Sequence, residues 1–269
     1  MEQVTFTRPP GLRGVELKSV YSSTRLWTRF NLSYAFCSIV EAQSRWRYRK
    51  QIHAASAGTV VLMEPGESHV TVAASVPATF RTLFIPCDRM DSAARELGWK
   101  RGPHLRLAST RNARVHRALA LFNSSFDVPC SLLEREARLI SCLRAILREA
   151  GEHRPAESAT LWEPAAVRTV RGILQDRLAD DVSLDELATA AGVSGFHLLR
   201  LFHAQTGMAP HRFQLQLRLA RAKELLVQSV SPGEVAQRLG FFDQSHLNRH
   251  FSRTFGISPR RYGLAAGGT

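Results

Sequence analysis

The chain has 269 residues, of which 44% are apolar and 22% are charged, and these proportions exclude a collagen-like, coiled-coil or largely disordered polypeptide. At about 150 residues per domain, this length predicts two domains. Thirty-six Lys and Arg residues against 23 Asp and Glu residues give a net charge of +13, which favours an anionic partner such as nucleic acid.

The sequence contains no signal for membrane insertion or export. No apolar run reaches the roughly 18 residues that a membrane span needs, and the N-terminal residues lack the pattern of a signal peptide. The four cysteines have neither C-x-x-C nor zinc-finger spacing, so we expect reduced thiols in a cytoplasm. A phosphate-binding loop and a dinucleotide motif are also missing, and we expect no cofactor.

Residues 1–110 have the pattern of short strands separated by turns. In the segment 45–49, the aromatic side chains Trp46 and Tyr48 share one face and the arginines occupy the other. The apolar run 59–63 ends at the turn Pro65-Gly66. Further strands are expected at 35–40, 69–74 and 79–85. Several short strands with turns predict a barrel or a sandwich.

From about residue 111 the apolar residues follow the period of a helix. Two helices are predicted in the range 111–150, where apolar residues recur on one face. The range 151–166 contains Gly and two Pro residues without a periodic stripe, and it is predicted to be a linker. Beyond it the pattern is helical nearly to the end of the chain.

The C-terminal part contains an internal repeat of two copies. Ala188-x-x-x-Gly192 recurs 48 residues later as Ala236-x-x-x-Gly240. Six more positions recur 49 residues later, namely Leu198, Arg200, Phe202, Gly207, Pro210 and Phe213 as Leu247, Arg249, Phe251, Gly256, Pro259 and Tyr262. Two copies indicate a duplicated motif and not a solenoid.

Each copy predicts a short helix, a glycine turn and a second helix. Ser183 with Glu186, and Ser231 with Glu234, have the spacing of a capping box. The short helices end at Gly192 and Gly240, and new N-caps follow at Ser194 and Asp243. This order is that of a helix-turn-helix unit.

The second helix of each copy has one apolar face and one face suited to reading DNA. Arginine pairs with guanine in the major groove, and Asn or Gln pairs with adenine. Arg200 occupies that face in the first copy, and Gln244, Asn248 and Arg249 occupy it in the second. An exposed Phe196 or Leu199 would suit a thymine methyl group. A helical bundle with an ordinary solvated surface is the alternative.

Residues 167–262 resemble the DNA-binding domain of the AraC-type family of bacterial transcription regulators. The resemblance rests on S-L-D-E-L-A-x-x-A-G-V-S at 183–194, on Val235-Ala236 to Gly240-Phe241, and on D-Q-S-H-L-x-R-x-F with F-G-x-S-P-x-x-Y at 243–262. It implies a connecting helix at about 211–228, in which Arg218 and Arg221 are expected to strengthen binding to all DNA sequences alike. The base-contacting side chains carried over are Phe196, Leu199, Arg200, Gln244, Ser245, Asn248 and Arg249. Leu199 departs from the polar residue often found there, which reduces direct readout by the first unit.

The same resemblance implies a cupin-like barrel that binds a small effector in residues 1–110. Pro65-Gly66-Glu67-Ser68-His69 is similar to the second cupin motif. The positions where a metal-dependent cupin needs its His-x-His pair hold Arg29 and Asn31, so we expect no metal site there. His246 and His250 have helical i, i+4 spacing but no evident third ligand. The predicted effector-binding residues are Arg29, Trp46, Tyr48 and His69, although Trp46 and Tyr48 as ordinary core residues are the alternative.

The sequence therefore predicts an α+β protein with a cupin-like barrel (1–110), flanking helices for dimerisation or packing (111–150), a linker (151–166) and an all-α double helix-turn-helix domain (167–262). The predicted function is a non-enzymatic, sequence-specific regulator at the bacterial nucleoid, an activator by resemblance. Its expected partners are double-stranded operator DNA, an unidentified small-molecule effector, a second copy of the chain and RNA polymerase, without a membrane. The alternatives are a metal-dependent cupin enzyme with a DNA-binding tail and a module that binds nucleic acid without sequence preference.

Overall fold

A computed structural model describes residues 2–49, 51–75, 77–100, 102–153 and 164–267. The chain divides into two compact units, with the boundary between residues 154 and 155. Within the described ranges, no helix is long and apolar enough to cross a membrane.

The first unit combines antiparallel sheets with three helices. Its strands are β1 Gln3–Thr7, β2 Glu16–Ser23, β3 Thr28–Phe30, β4 Tyr34–Glu41, β5 Gln43–Tyr48, β6 Gln51–Ser56, β7 Val60–Met63, β8 Ser68–Ala74, β9 Ala78–Ile85, β10 Pro103–Leu105, β11 Ser109–Thr110 and β12 Gly151–His153. Its helices are α1 Cys87–Glu96, α2 Ala113–Ser124 and α3 Leu132–Ala150. The strands predicted near residues 35–40, 59–63, 69–74 and 79–85 and the two helices predicted in 111–150 are confirmed.

The strands form two large sheets. One has the order β1-β2-β9-β4-β7-β11 and the other has the order β3-β8-β5-β6, while β10 and β12 form a separate pair. The chain passes from the first sheet to the second at Ala42, whose φ of +137° turns the backbone between β4 and β5. No strand in the described ranges pairs across the two large sheets, so the cupin-like region consists of two open sheets, and the sandwich alternative describes them better than a closed barrel.

The six-stranded sheet has a different set of neighbours on each face. Because side chains alternate along a strand, Phe36, Leu62 and Leu83 lie on the face that packs against α1, α2 and α3. The helices contribute buried residues such as Leu119 and Ile146 to this core. Each fully buried aliphatic side chain contributes about 1.5–3 kcal/mol, so this core holds the helices on the sheet.

Two elements of the first unit differ from the sequence-based prediction. Helix α1 lies in a region predicted to contain only strands, and its buried residues Met90, Ala93 and Ala94 have helical spacing. Strand β12 occupies the first three residues of the predicted linker 151–166, because its backbone pairs with β10 from Leu105 to Pro103. The last two residues of that predicted linker belong to a helix, and 154–163 lie outside the described residues.

In its described residues, the second unit consists of helices joined by turns and short loops. Its helices are α4 Ala165–Asp176, α5 Leu184–Ala191, α6 Gly195–Thr206, α7 Pro210–Val227, α8 Pro232–Arg238, α9 Gln244–Phe255 and α10 Pro259–Gly267. The unit therefore extends a few residues beyond the predicted range 167–262 at both ends. The aromatic residues Phe202, Phe213, Phe251 and Tyr262 are fully buried and form the centre of its core.

Candidate DNA-binding surface and effector cavity

The two predicted helix-turn-helix units are present as α5–α6 and α8–α9. The Ser183 hydroxyl accepts the Glu186 N–H at 3.1 Å and the Glu186 carboxylate accepts the Ser183 N–H at 2.9 Å, which completes a capping box. In the second helix-turn-helix unit the Ser231 hydroxyl accepts the Glu234 N–H at 3.3 Å and donates to the Glu234 carboxylate. This N-cap therefore differs from the predicted capping box, in which the carboxylate accepts the Ser231 N–H. Both cap types satisfy backbone donors that a helix N-terminus leaves free.

Within the helical half of the chain, the turn of the second helix-turn-helix unit packs directly against the loop that precedes the first helix-turn-helix unit. Gly240 has a φ of +68°, and a Cβ atom at this position would lie 2.0 Å from the carbonyl oxygen of Ala179. Glycine is therefore required here by backbone conformation and by close approach. The contact brings the two helix-turn-helix units into a fixed arrangement.

Arg218 of the connecting helix α7 holds this arrangement together. Its Nε donates to the Leu178 carbonyl at 2.7 Å, and its two Nη atoms donate to the Asp180 and Gly240 carbonyls at 2.8 Å each. Burial lowers the pKa of Arg218 from its ordinary value. Gln214, one turn earlier, donates to the Asp180 carbonyl at 3.0 Å.

These contacts give Arg218 a structural role that the sequence did not predict. All three nitrogen atoms of the Arg218 guanidinium donate to backbone carbonyls, so the side chain acts as an internal clamp between the two helix-turn-helix units. Arg221 is exposed and pairs with Glu224 on the same helix. The sequence shows only two arginines on one helix, and the difference between them arises from long-range contacts.

The predicted base-contacting residues lie on the side of each second helix that is opposite its buried residues. Leu198 and Phe202 of α6 are fully buried, as are Leu247 and Phe251 of α9. The exposed members of the predicted set are Phe196, Arg200, Gln244, Ser245 and Arg249, and the half-buried members are Leu199 and Asn248. Leu199 and Asn248 occupy the same position of the repeat, which accounts for their equal burial.

The histidines of α9 take part in packing. The ring of His246 contacts the rings of Phe241 and His250 at centroid distances of 5.6 and 4.7 Å. Burial, together with the charges of His246, Arg249 and Arg253, lowers the pKa of His250. Across the described part of the chain, no three His, Cys, Asp or Glu side chains are grouped so that they could hold a metal ion.

A cavity lies between the two large sheets of the first unit. Its walls come from alternate residues of the strands, among them Cys37 and Ile39 of β4, Trp46 of β5, Val61 and Met63 of β7, His69 and Thr71 of β8 and Phe80 of β9. The cavity volume is about 50 Å³, which holds a few water molecules. A metabolite-sized effector therefore requires movement of the surrounding side chains.

The structure separates the four predicted effector-binding residues. Trp46 and His69 are buried and line the cavity. Tyr48 is also buried, but it is not among the residues that line the cavity, because its hydroxyl donates to Glu67 and accepts the Glu64 N–H at 3.3 Å. Burial, with the charge of Glu67, raises the pKa of Tyr48. The backbone of Arg29 pairs with His69, and the Arg29 side chain lies outside the described part of the chain.

A buried polar cluster around Glu64 joins the end of the cavity sheet to the short β10–β12 pair. The Glu64 carboxylate accepts hydrogen bonds from His104 Nδ1 at 2.9 Å and from the Leu105 N–H, and Arg49 Nη2 lies 3.3 Å away. Burial opposes ionisation of Glu64, but the hydrogen bonds of His104 and Leu105 and the charges of His104 and Arg49 outweigh it and lower the pKa. Sequence reasoning missed this cluster, whose members lie up to 56 residues apart.

Comparison with known proteins matches both units. Residues 27–163 match the model of the AraC-like ligand binding domain, and residues 187–264 match a helix-turn-helix domain model. The regulator YbfI of Bacillus subtilis is 40% identical over 81 residues, 30% of each chain, and the activator RhaS of Escherichia coli is 40% identical over 88 residues, 32% of each chain. The match therefore spans about a third of the length of these curated relatives.

Solved structures show the same fold over the whole chain. ToxT of Vibrio cholerae has a TM-score of 0.56 at 11% identity, with 98% of this chain and 96% of that chain covered. A unit of antiparallel sheets that matches a ligand-binding domain model, followed by two helix-turn-helix units, is the domain order of AraC-type regulators. The chain belongs to the AraC family of transcriptional regulators.

Proposed function

We propose that this protein is a transcription activator that reads two adjacent boxes of operator DNA with α6 and α9. The observation that carries the proposal is the clamp of Arg218 and Gly240, which fixes both helix-turn-helix units on one connecting helix. A fixed pair of reading helices favours one operator spacing, whereas a module without sequence preference needs no such arrangement. The name of the relative RhaS, an activator, supports the direction of regulation.

In this proposal the base-reading residues are Phe196, Leu199, Arg200, Gln244, Ser245, Asn248 and Arg249. Arg200 and Arg249 occupy equivalent positions of the repeat and are exposed, and an arginine guanidinium can donate two hydrogen bonds to one guanine. The thymine methyl group is the suitable partner of Phe196 and Leu199. The site of action is chromosomal DNA in the bacterial cytoplasm.

The test measures binding to an operator selected by the purified protein from random duplexes. Arg200→Ala and Arg249→Ala should each weaken binding by about 1–3 kcal/mol and abolish the preference at one base pair. Arg221→Ala is the matched control and should keep every base preference. Unchanged preference in both test variants would contradict the assignment of the reading helices.

The effector of this proposal binds in the cavity between the two large sheets. Trp46 and His69 are the predicted effector residues that line it, and Arg29 belongs to the proposal through its pairing with the His69 strand. One structure of ToxT contains (E)-4-(8-methylnaphthalen-1-yl)but-3-enoic acid, which supports a small-molecule role for this fold. Trp46→Ala should change the response of transcription to the effector and leave operator binding without effector unaltered.

The proposal includes a homodimer formed through α3. Leu133 and Ile140 are 77% and 40% exposed, and with the exposed Ala137 they have the i, i+4, i+7 spacing of one helix face. Replacing Leu133 and Ile140 together by Lys should convert a dimer to a monomer in sedimentation analysis. RNA polymerase is the further partner that activation requires. We propose a regulator and not a metal-dependent enzyme, because the relatives that match this chain are named as transcriptional regulators.

A further inference from the structure

Phe242, in the turn before the reading helix α9, leaves its ring in solvent. Its side chain is 93% exposed, whereas the adjacent Phe241 is 6% exposed and packs against His246. Phe242 immediately precedes the N-cap Asp243, a position from which an apolar side chain often packs onto the helix. The partner in such a contact would be Leu247, which is already fully buried by other residues.

The surroundings of Phe242 identify DNA as the partner of this ring. Phe242 lies at the N-terminal end of α9, next to Gln244 and Ser245, and this end of a recognition helix contacts base edges. Residues 164–269 contain 13 basic and 8 acidic side chains, a net charge of +5 that favours an anionic partner. The first helix-turn-helix unit also has an exposed aromatic ring near its reading helix, since Phe196 near the N-terminus of α6 is 78% exposed.

We propose that Phe242 is a specificity-determining residue that contacts the methyl group of a thymine at the edge of the second box. The thymine methyl is the apolar group that the major groove offers, and aromatic side chains are suitable partners for it. This inference rests on the proposed reading of DNA by α9. It adds an apolar preference to the polar readout by Gln244, Asn248 and Arg249.

The test removes the ring and the methyl group separately and together. Thymines of the selected operator are replaced one at a time by deoxyuridine, which deletes only the methyl group, and full-length protein is titrated by fluorescence anisotropy. At one thymine, deoxyuridine should weaken wild-type binding about fourfold, the factor expected for one buried methyl group. Phe242→Ala should bind the unmodified operator more weakly by at least this factor and should show no further loss with deoxyuridine at that thymine.

Two controls make the outcome decisive. Leu264→Ala removes another exposed apolar side chain of the same unit, 72% exposed on α10, and should leave binding unchanged. Arg249→Ala should still lose its own base preference, so that a failure at Phe242 is distinguishable from a failure of the reading helix. Additive losses for Phe242→Ala and deoxyuridine at every thymine would overturn the proposal. Unchanged DNA binding with loss of transcription activation would also overturn it, because the ring would then contact a protein.

Discussion

Replacement of Arg218 by Met tests the clamp between the two helix-turn-helix units. Methionine keeps much of the aliphatic stem and removes the three hydrogen bonds to the Leu178, Asp180 and Gly240 carbonyls. At about 1 kcal/mol net for each bond, the change should cost about 3 kcal/mol. This corresponds to a roughly hundredfold increase in the fraction of molecules in which the two helix-turn-helix units have separated.

Two measurements on the full-length protein distinguish a clamp from a phosphate contact. Hydrogen exchange should accelerate for the amides of α5, α7 and α8 in Arg218→Met, because the two helix-turn-helix units separate more often. Loss of a phosphate contact would instead reduce the slope of log affinity against log salt concentration by about 0.9 and leave exchange unchanged. The clamp predicts an unchanged slope together with weaker binding.

Arg221→Met is the matched control, since Arg221 lies on the same helix and its salt bridge to Glu224 is exposed. An exposed pair of this kind contributes about 0–1 kcal/mol, so exchange should remain near that of the wild type. If the amides of Arg218→Met and Arg221→Met exchange at the same rate and both variants reduce the salt slope, Arg218 contacts phosphate and does not act as a clamp.

Three further predictions concern the first unit, the division of the chain and the operator. Glu64→Gln should destabilise the first unit by about 1–3 kcal/mol at neutral pH, because it removes the buried carboxylate that pairs with the half-buried His104 and Arg49, although Arg49 keeps its ion pair with Glu67. Because folding lowers the pKa of Glu64, its contribution to the free energy of unfolding is present above the ordinary pKa of a glutamate and is lost as the pH falls through the pKa of the folded state. A Gln variant whose unfolding has the same acid dependence as that of the wild type would contradict this. A fragment of residues 164–269 should fold alone by circular dichroism and bind the operator more weakly than the intact chain, because a dimer presents two reading units at high effective concentration; equally tight binding would argue against the dimer. The 18 residues of α7 span about 27 Å, which together with the offset of each reading helix from α7 approaches the roughly 34 Å between successive major-groove faces on one side of DNA. Insertion of about 5 base pairs between the boxes should therefore abolish specific binding, and tolerance of the insertion in a gel-shift assay would show that the two helix-turn-helix units bind separately.

Local patterns predicted the elements whose signals lie within a few residues. Short-range chemistry predicts the N-caps Ser194 and Asp243 and the alternation of Trp46 with the neighbouring arginines, whereas the connecting helix at 211–228 is implied by the family resemblance. The burial of both aromatic residues of β5 also follows from that alternation. Which of them faces the cavity depends on the neighbouring sheet, and Tyr48 is instead held by Glu67 and Glu64.

The features that the sequence did not predict depend on distant parts of the chain. Strand β12 has no apolar pattern and exists through its pairing with β10. The role of Arg218 depends on three carbonyl groups from two separate loops. Phe242 is exposed whereas Phe241 is buried, and the dipeptide Phe241-Phe242 gives no sign of which ring packs inward.

The two-faced six-stranded sheet constrains how effector specificity can evolve. Along β4, β7 and β9, neighbouring residues alternate between the cavity and the helix-packed core, as with Cys37 and Phe36 or Val61 and Leu62. Insertion or deletion of one residue in any of these strands would exchange the two sets of side chains along the rest of the strand. Smaller lining residues such as Cys37 and Val61 would then enter the helix core, and larger core residues such as Phe36 and Leu62 would fill the cavity. If the proposed effector binds in this cavity, we expect its specificity to change by substitution at alternate positions while the lengths of these three strands stay fixed.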